Sequence, residues 1–135
     1  MRDVVATVVD IQSNQRVHKV YFEFAGTQIC MLSLELSLDI KKGTRVKLTH
    51  NPNAIAIAKT TLDLSAISYE NRLLCKIASI LQGEILSVVE LQIDDITFEA
   101  IVSTTSLKSM GVGVGDSVYA LLKASALAIS EVCDD

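Results

Sequence analysis

The sequence predicts an all-β chain built as two tandem OB-like five-stranded barrels, each with a short helical turn. Three observations predict it: short β-branched runs recur along the chain, turn residues punctuate them, and the second half repeats the first. Gly43 and Gly115 lie 72 positions apart, and the same offset lays residues 43–47 over 115–119, 51–57 over 123–129 and 5–8 over 77–80. In the middle the hairpins match better near an offset of 69, with Val20, Phe22 and Phe24 over Val89, Leu91 and Ile93. Two copies of one fold with drift in loop length account for both offsets. Five short strands and one brief helix, occurring twice, suit small barrels better than a sandwich.

Residues 4–11 are short and β-branched and read as a strand, followed by a polar turn at 12–16. Residues 17–24 alternate, with Val20, Phe22 and Phe24 on one side and Tyr21 and Glu23 on the other, the period of a half-buried strand. Ala25-Gly26-Thr27-Gln28 reads as a hairpin turn and 29–32 as the partner strand. Residues 33–40, with Leu34, Leu36 and Leu38, suit a strand or a short helix closed by Lys41-Lys42-Gly43. Strands at 44–49 and 54–58 flank the turn Asn51-Pro52-Asn53. The stretch from 59 to 71 is more polar and less periodic. It sets the expected boundaries: a first, degenerate module at 1–60, a connector at 61–71 and a second module at 72–135. The second run of strands reads as 73–81, 85–93, 96–103, 117–123 and 126–131, with a helical turn at 104–110 stopped by Gly111.

Half the residues are hydrophobic, 21% are charged, and Pro52 is the single proline, which is ample material for a packed core. The aromatics are few, so Val, Ile, Leu and Ala must fill that core. A net charge of −4 argues against broad nucleic-acid binding but leaves room for a locally positive anion pocket. No apolar run reaches the roughly 18 residues of a membrane span, and Met1-Arg2-Asp3-Val4 lacks a signal-peptide layout, so a cytoplasmic location is expected. Cys30, Cys75 and Cys133 form no CxxC pair and read as isolated reduced thiols.

The chemistry concentrates between residues 103 and 125. Ser103-Thr104-Thr105-Ser106 places hydroxyls at a helix start, and Lys123-Ala124-Ser125 sets one lysine among apolar residues beside two small ones. Hydroxyls, free helix-start N–H groups and an ammonium are the donors a tetrahedral dianion needs. The candidate contacts are Ser103, Ser106, Lys123 and Ser125, with Ala124 contributing backbone. Carboxylates are absent from this cluster, which suits an anion rather than a cation such as calcium. Taken singly, each residue has a plainer role: Ser103 or Thr104 as an N-cap, Gly111 as the helix stop, Lys123 as a solvated charge. His18 and His50 have no ligand-spaced partner and read as surface or loop residues, and Asp94-Asp95 reads as a hairpin turn. No serine, cysteine or histidine arrangement suggests a nucleophile with its base, so an enzyme is not expected.

Val102-Ser103-Thr104-Thr105-Ser106-Leu107, Met110-Gly111-Val112, Gly115-Asp116 and Leu122-Lys123-Ala124-Ser125 together resemble the Mop/TOBE molybdate-binding module. The resemblance covers about residues 68–131 well and 1–60 weakly. Two such modules without an ATPase or a helix-turn-helix look like the tandem-Mop molbindins. That resemblance implies binding of molybdate or tungstate for storage, buffering or sensing, at or near a subunit interface of a dimer or trimer, with no cation or organic cofactor. The family opens its module with Ser-Ala-Arg-Asn, whose serine and arginine reach the anion from a neighbouring subunit. Here the segment is Ser68-Tyr69-Glu70-Asn71 followed by Arg72, so Ser68 and Arg72 are the inter-subunit candidates and Glu70 occupies the arginine position. A glycine frequent in the next strand is Cys75. In the first half the lysine position is Asn51 and the hydroxyl positions are Met31 and Leu34, or Ser33 after a register shift, so that half is expected to be structural or to supply a secondary site. An oligomerisation or regulatory module without oxyanion binding is the alternative. An OB-type nucleic-acid binder would need a basic face with stacking aromatics, and a pterin ligand is neither supported nor excluded.

Overall fold

Alternating β-branched sequence and tight turns give an antiparallel chain. The computed structural model describes residues 4–133, so Met1-Arg2-Asp3, on which the expected lack of a leader rests, lie outside the described residues. The strands are β1 (Val4–Asn14), β2 (Val17–Phe24), β3 (Thr27–Ser33), β4 (Arg45–His50) and β5 (Ala56–Lys59). They continue as β6 (Asn71–Gln82), β7 (Leu86–Ile93), β8 (Ile96–Ser103), β9 (Ser117–Leu122) and β10 (Leu127–Val132), with α1 (Thr104–Met110) between β8 and β9. Three 3-10 turns, Pro52–Ala54, Leu64–Ala66 and Ala124–Ala126, punctuate the loops. The β2–β3 hairpin closes on Ala25 and Gly26, both in the left-handed region at φ 49° and 73°, the geometry that a two-residue turn between twisted strands demands.

The strands form two five-stranded sheets, ordered β10-β4-β1-β2-β3 and β5-β9-β6-β7-β8. Each sheet takes one strand from the other half of the chain. β10 pairs with β4, setting Leu127 opposite His50, and β5 pairs with β9, setting Ala56 opposite Leu121. The chain crosses between the sheets at Pro52–Ala54 and crosses back at Ala124–Ala126.

The internal repeat is present in atomic detail. Gly43 and Gly115, at φ 90° and 92°, donate their N–H groups to the carbonyls of Val8 and Ile77, each at 2.8 Å. A register irregularity follows in both strands, between Val8 and Asp10 and between Ile77 and Ser79. These pairs put the first strand of each half at the offset of 69, correcting the overlay of 5–8 on 77–80. The three-residue insertion falls between the first strand and the Gly-containing turn.

Two further expectations are corrected. The sheets are not closed barrels: β3 and β10 approach one another at the edges of one sheet, and β5 and β8 at the edges of the other, without a hydrogen-bonded ladder. Residues 33–37 line the first gap and α1 lines the second, so neither pair of edges can zip. Residues 34–40 are neither strand nor helix. Their alternate leucines find no further strand to pair with, so Leu34 and Leu38 are exposed while Ile40 turns into the core.

One apolar core runs through both halves and includes Val8, Val20, Phe22, Val46, Ile77, Val89, Leu91 and Val118. Asn71 stitches the halves together. Its side-chain carbonyl accepts from the Cys30 N–H at 2.7 Å and its amide donates to the Cys30 carbonyl at 2.9 Å, copying a strand partner for β3. His50 is not a surface residue: it is 9% exposed, and its Nε2 has no hydrogen-bond partner. It borders a cavity of about 40 Å³ between the sheets, lined by Phe24, Ile55, Leu73, Phe98 and Leu127 among others. A polar residue at a strand end before Asn51-Pro52 reads as a loop residue; the exchange of β10 is what covers it.

Candidate functional site

Helix α1 begins where β8 runs out of partner. Ser103, in extended conformation, accepts the Ser106 N–H on its hydroxyl oxygen at 3.4 Å, and Gly111 ends the helix at φ 69° with its N–H on the Lys108 carbonyl. As a capping acceptor, Ser103 keeps its own hydroxyl hydrogen for another partner. Thr104, by contrast, is buried and fully committed. Its hydroxyl donates to the Gly83 carbonyl at 2.9 Å and lies 2.7 Å from the Ser87 hydroxyl, tying α1 to the β6–β7 hairpin. Ser103 and Ser106 are therefore exposed on an anchored helix. They line a groove of about 290 Å³ whose opposite wall is Ile55, Ala56 and Ile57.

Lys123, Ala124 and Ser125 sit on the return crossing. Lys123 precedes the 3-10 turn, is exposed, and forms no ion pair among the described residues. Ala124 is buried and anchors the turn, leaving Ser125 exposed. This turn packs on β3, and Ser125 lines a groove of about 740 Å³ together with Ser33, Ser37, Ile40 and Leu127. Within one chain, then, the residues expected as one cluster divide: Ser103 and Ser106 line one groove, and Ser125 lines another with hydroxyls from the first half. Ser37 had no sequence signal, and Ser33 had only the register slip.

Residues 67–129 match the model of the TOBE domain. A search of curated proteins gave no match. Among solved structures, the whole chain is similar to the cytoplasmic molybdate-binding protein ModG, in a crystal form with molybdate bound. The TM-score is 0.85 at 20% identity, over 95% of this chain and 94% of that one. The fold is thus the OB-type fold of that protein along nearly its whole length.

Ser68 and Arg72, expected as inter-subunit candidates, lie at the start of the segment that matches the TOBE model. Ser68 is exposed, and the Arg72 Nε donates to the Tyr69 carbonyl at 2.7 Å, which curls the guanidinium back over its own connector. Glu70 meets Lys19 of β2 at 2.7 Å; the Lys19 ammonium also lies 5.0 Å from the centre of the Tyr21 ring. The hydrogen bond from Lys19 holds the Glu70 carboxyl below its ordinary range, and the same contact raises Lys19. The negative charge at the position where the family places arginine is therefore answered locally. That partnership has no signal in the sequence, because β2 and residue 70 come together through the packing of the connector. Cys75 is buried with its thiol on the Val118 carbonyl, and burial pushes it up to about 11; burial does the same to Cys30. Among the described residues no group of three or more His, Cys, Asp or Glu stands ready for a metal ion, and no helix is long and apolar enough to cross a membrane.

Proposed function

We propose that this chain binds molybdate or tungstate reversibly in the cytoplasm, for storage, buffering or sensing, as a homo-oligomer of dimeric or trimeric order. Its modules are residues 1–60 and 72–135, joined by 61–71, each an OB-like unit that lends its last strand to the other. The observation that carries the reading is an exposed Lys123, without an ion pair among the described residues, two positions before the exposed Ser125 on the fold of a molybdate-binding protein. A dianion with four oxygens is best held by neutral donors from several directions with one positive charge to offset it, and lysine serves well as a compact point charge. Ser103, Ser106, Lys123, Ala124 and Ser125 are the proposed contacts. Ser68, exposed, and Arg72, half-buried, are the weaker proposed contacts from a neighbouring copy. The protein is a binding protein, not an enzyme.

Exposed leucines at 32, 34, 38, 74, 81 and 86 supply apolar surface for self-association. The same surface supports a second reading, an oligomerisation or regulatory module that binds no oxyanion, and Glu70 at the arginine position favours it. Titration calorimetry with molybdate, tungstate and sulfate separates the two. Saturable heat with the first two anions, reduced at least tenfold in affinity by Lys123→Ala, supports oxyanion binding. An oligomer that gives no heat with any of them supports the second reading.

A further inference from the structure

The imidazole of His50 has a polar atom that the fold leaves without work. The residue is 9% exposed, and its Nε2 is buried with no hydrogen-bond partner. The bond to the Glu99 backbone is therefore made by the other ring nitrogen, where it favours the proton. That assigns the neutral tautomer and leaves Nε2 an acceptor with a bare lone pair. His50 lines the cavity of about 40 Å³ between the sheets, whose walls come from both halves: Phe24 and Leu48 from the first, Leu73, Phe98 and Leu127 from the second. Asn71 is the other polar lining residue among the described ones, and its side chain already makes two bonds to Cys30.

We infer that this cavity is a binding site for a short-chain alcohol of one or two carbons, its hydroxyl donating to His50 Nε2 and its carbons resting on the apolar walls. Size sets the chain length. The cavity is roughly three times what one water needs and about a quarter of the ~150 Å³ that takes benzene, which leaves room for roughly two or three heavy atoms. Chemistry sets the functional group. A lone pair calls for a donor, which a hydrocarbon or an ether lacks. A carboxylic acid or an amine of this size is charged at neutral pH, and an apolar cavity rejects an ion that has no counter-charge. An amide brings a carbonyl as well, and the walls offer it little to pair with. Water carries the donor but needs two to four polar partners, whereas an alcohol replaces the surplus O–H with carbon. Three heavy atoms at the ceiling of ligand efficiency give a Kd on the order of 1 mM at the tightest. Because Leu127 of the exchanged strand is one of the walls, the site exists only in the interlocked fold, and occupancy favours that fold. The site stands apart from the oxyanion reading and does not depend on it.

The test is a titration of the full-length, isotope-labelled chain with ethanol at about pH 7.5, read on the ring nitrogens of His50 by long-range proton–nitrogen correlation. The Nε2 resonance shifts saturably, with half-saturation in the millimolar range, and His18, whose ring meets the Ser13 hydroxyl, does not follow. Dimethyl ether, the isomer of ethanol without an O–H, binds at least tenfold more weakly. Butan-1-ol, too long for the cavity, gives no saturable shift. Ala120→Val, which adds two carbons to the lining, abolishes the response to ethanol. Where circular dichroism shows that variant to be misfolded, the isomer and chain-length comparisons on the unaltered chain decide. An Nε2 resonance that ethanol leaves unmoved, or that the ether or butan-1-ol moves equally well, overturns the assignment. A nuclear Overhauser contact from the ring to an ordered water that ethanol does not displace overturns it also.

Discussion

His50 ties the stability of this fold to pH. It ends β4 opposite Leu127 of the exchanged strand, with its ring edge-on to Phe98 at 6.2 Å and 89°. The cavity beside it is lined by apolar side chains and by Asn71, whose amide is already committed to Cys30. Among the described residues no charged side chain lines that cavity, and a water placed there would find few polar partners beyond Nε2. Burial therefore disfavours the imidazolium and lowers the His50 pKa, and a hydrogen bond to the Glu99 backbone opposes this only in part. The sign follows. The unfolded chain takes up a proton near 6.5 and the folded chain resists it, so stability is full above that pH and falls as the pH drops below it. The slope has a ceiling of about 1.4 kcal/mol per pH unit, which bounds the loss between pH 7 and 5.5 at roughly 1 kcal/mol. Urea titrations at pH 7.5, 6.5 and 5.5 measure it, with His50→Gln as the comparison, since that variant keeps a polar side chain and cannot titrate. The unaltered chain should lose stability over this interval relative to the variant. Equal pH slopes in the two proteins would refute the argument that burial keeps this imidazole neutral.

Removing the strand-mimicking amide with Asn71→Ala leaves a buried N–H and a buried carbonyl of Cys30 unpaired; about 2–4 kcal/mol of stability should be lost in urea melts. Ser87→Ala removes the hydroxyl that meets Thr104 in the core and should cost about 1–2 kcal/mol, visible as a lowered thermal midpoint. Gly83→Ala should be more harmful than an ordinary loop substitution, because a Cβ there would stand 2.5 Å from the Leu86 carbonyl oxygen; a soluble variant of unchanged stability would contradict the packing of that turn. Cys30 and Cys75, both pushed up to about 11 and buried, should react with a thiol reagent at pH 8 only after denaturant is added.

Local signals carried much of the architecture. The strict alternation of residues 17–24 set β2 and its inward face, since Val20, Phe22 and Phe24 are buried and Glu23 is exposed. Hydroxyls at 103–106 and Gly111 bounded α1 correctly, because a cap and a left-handed stop are properties of a few adjacent residues. Partnership was not legible. β5 and β10 are short apolar strands that present the same pattern whichever sheet receives them, so nothing within 56–59 or 127–132 announces an exchange. His50 and Asn71 were missed as core elements for the same reason, since their burial depends on strands more than forty residues away in sequence. Lys19 was missed because its meeting with Glu70 is a tertiary accident of the connector's path.

The exchange also changes how the departures in the first half should be weighed. If each half kept its own five strands, Asn51 would mark the first half as inert, and the second would hold Ser103, Ser106 and Lys123 together. The observed topology separates those residues: the turn bearing Lys123 packs on β3, and the turn bearing Asn51 lies against β8. Neither half alone contains a complete sheet, so the two halves fold as one unit. That coupling gives a reason for a degenerate half to persist as a packed domain. It receives β10, whose Leu127 lies opposite His50 and helps to bury it.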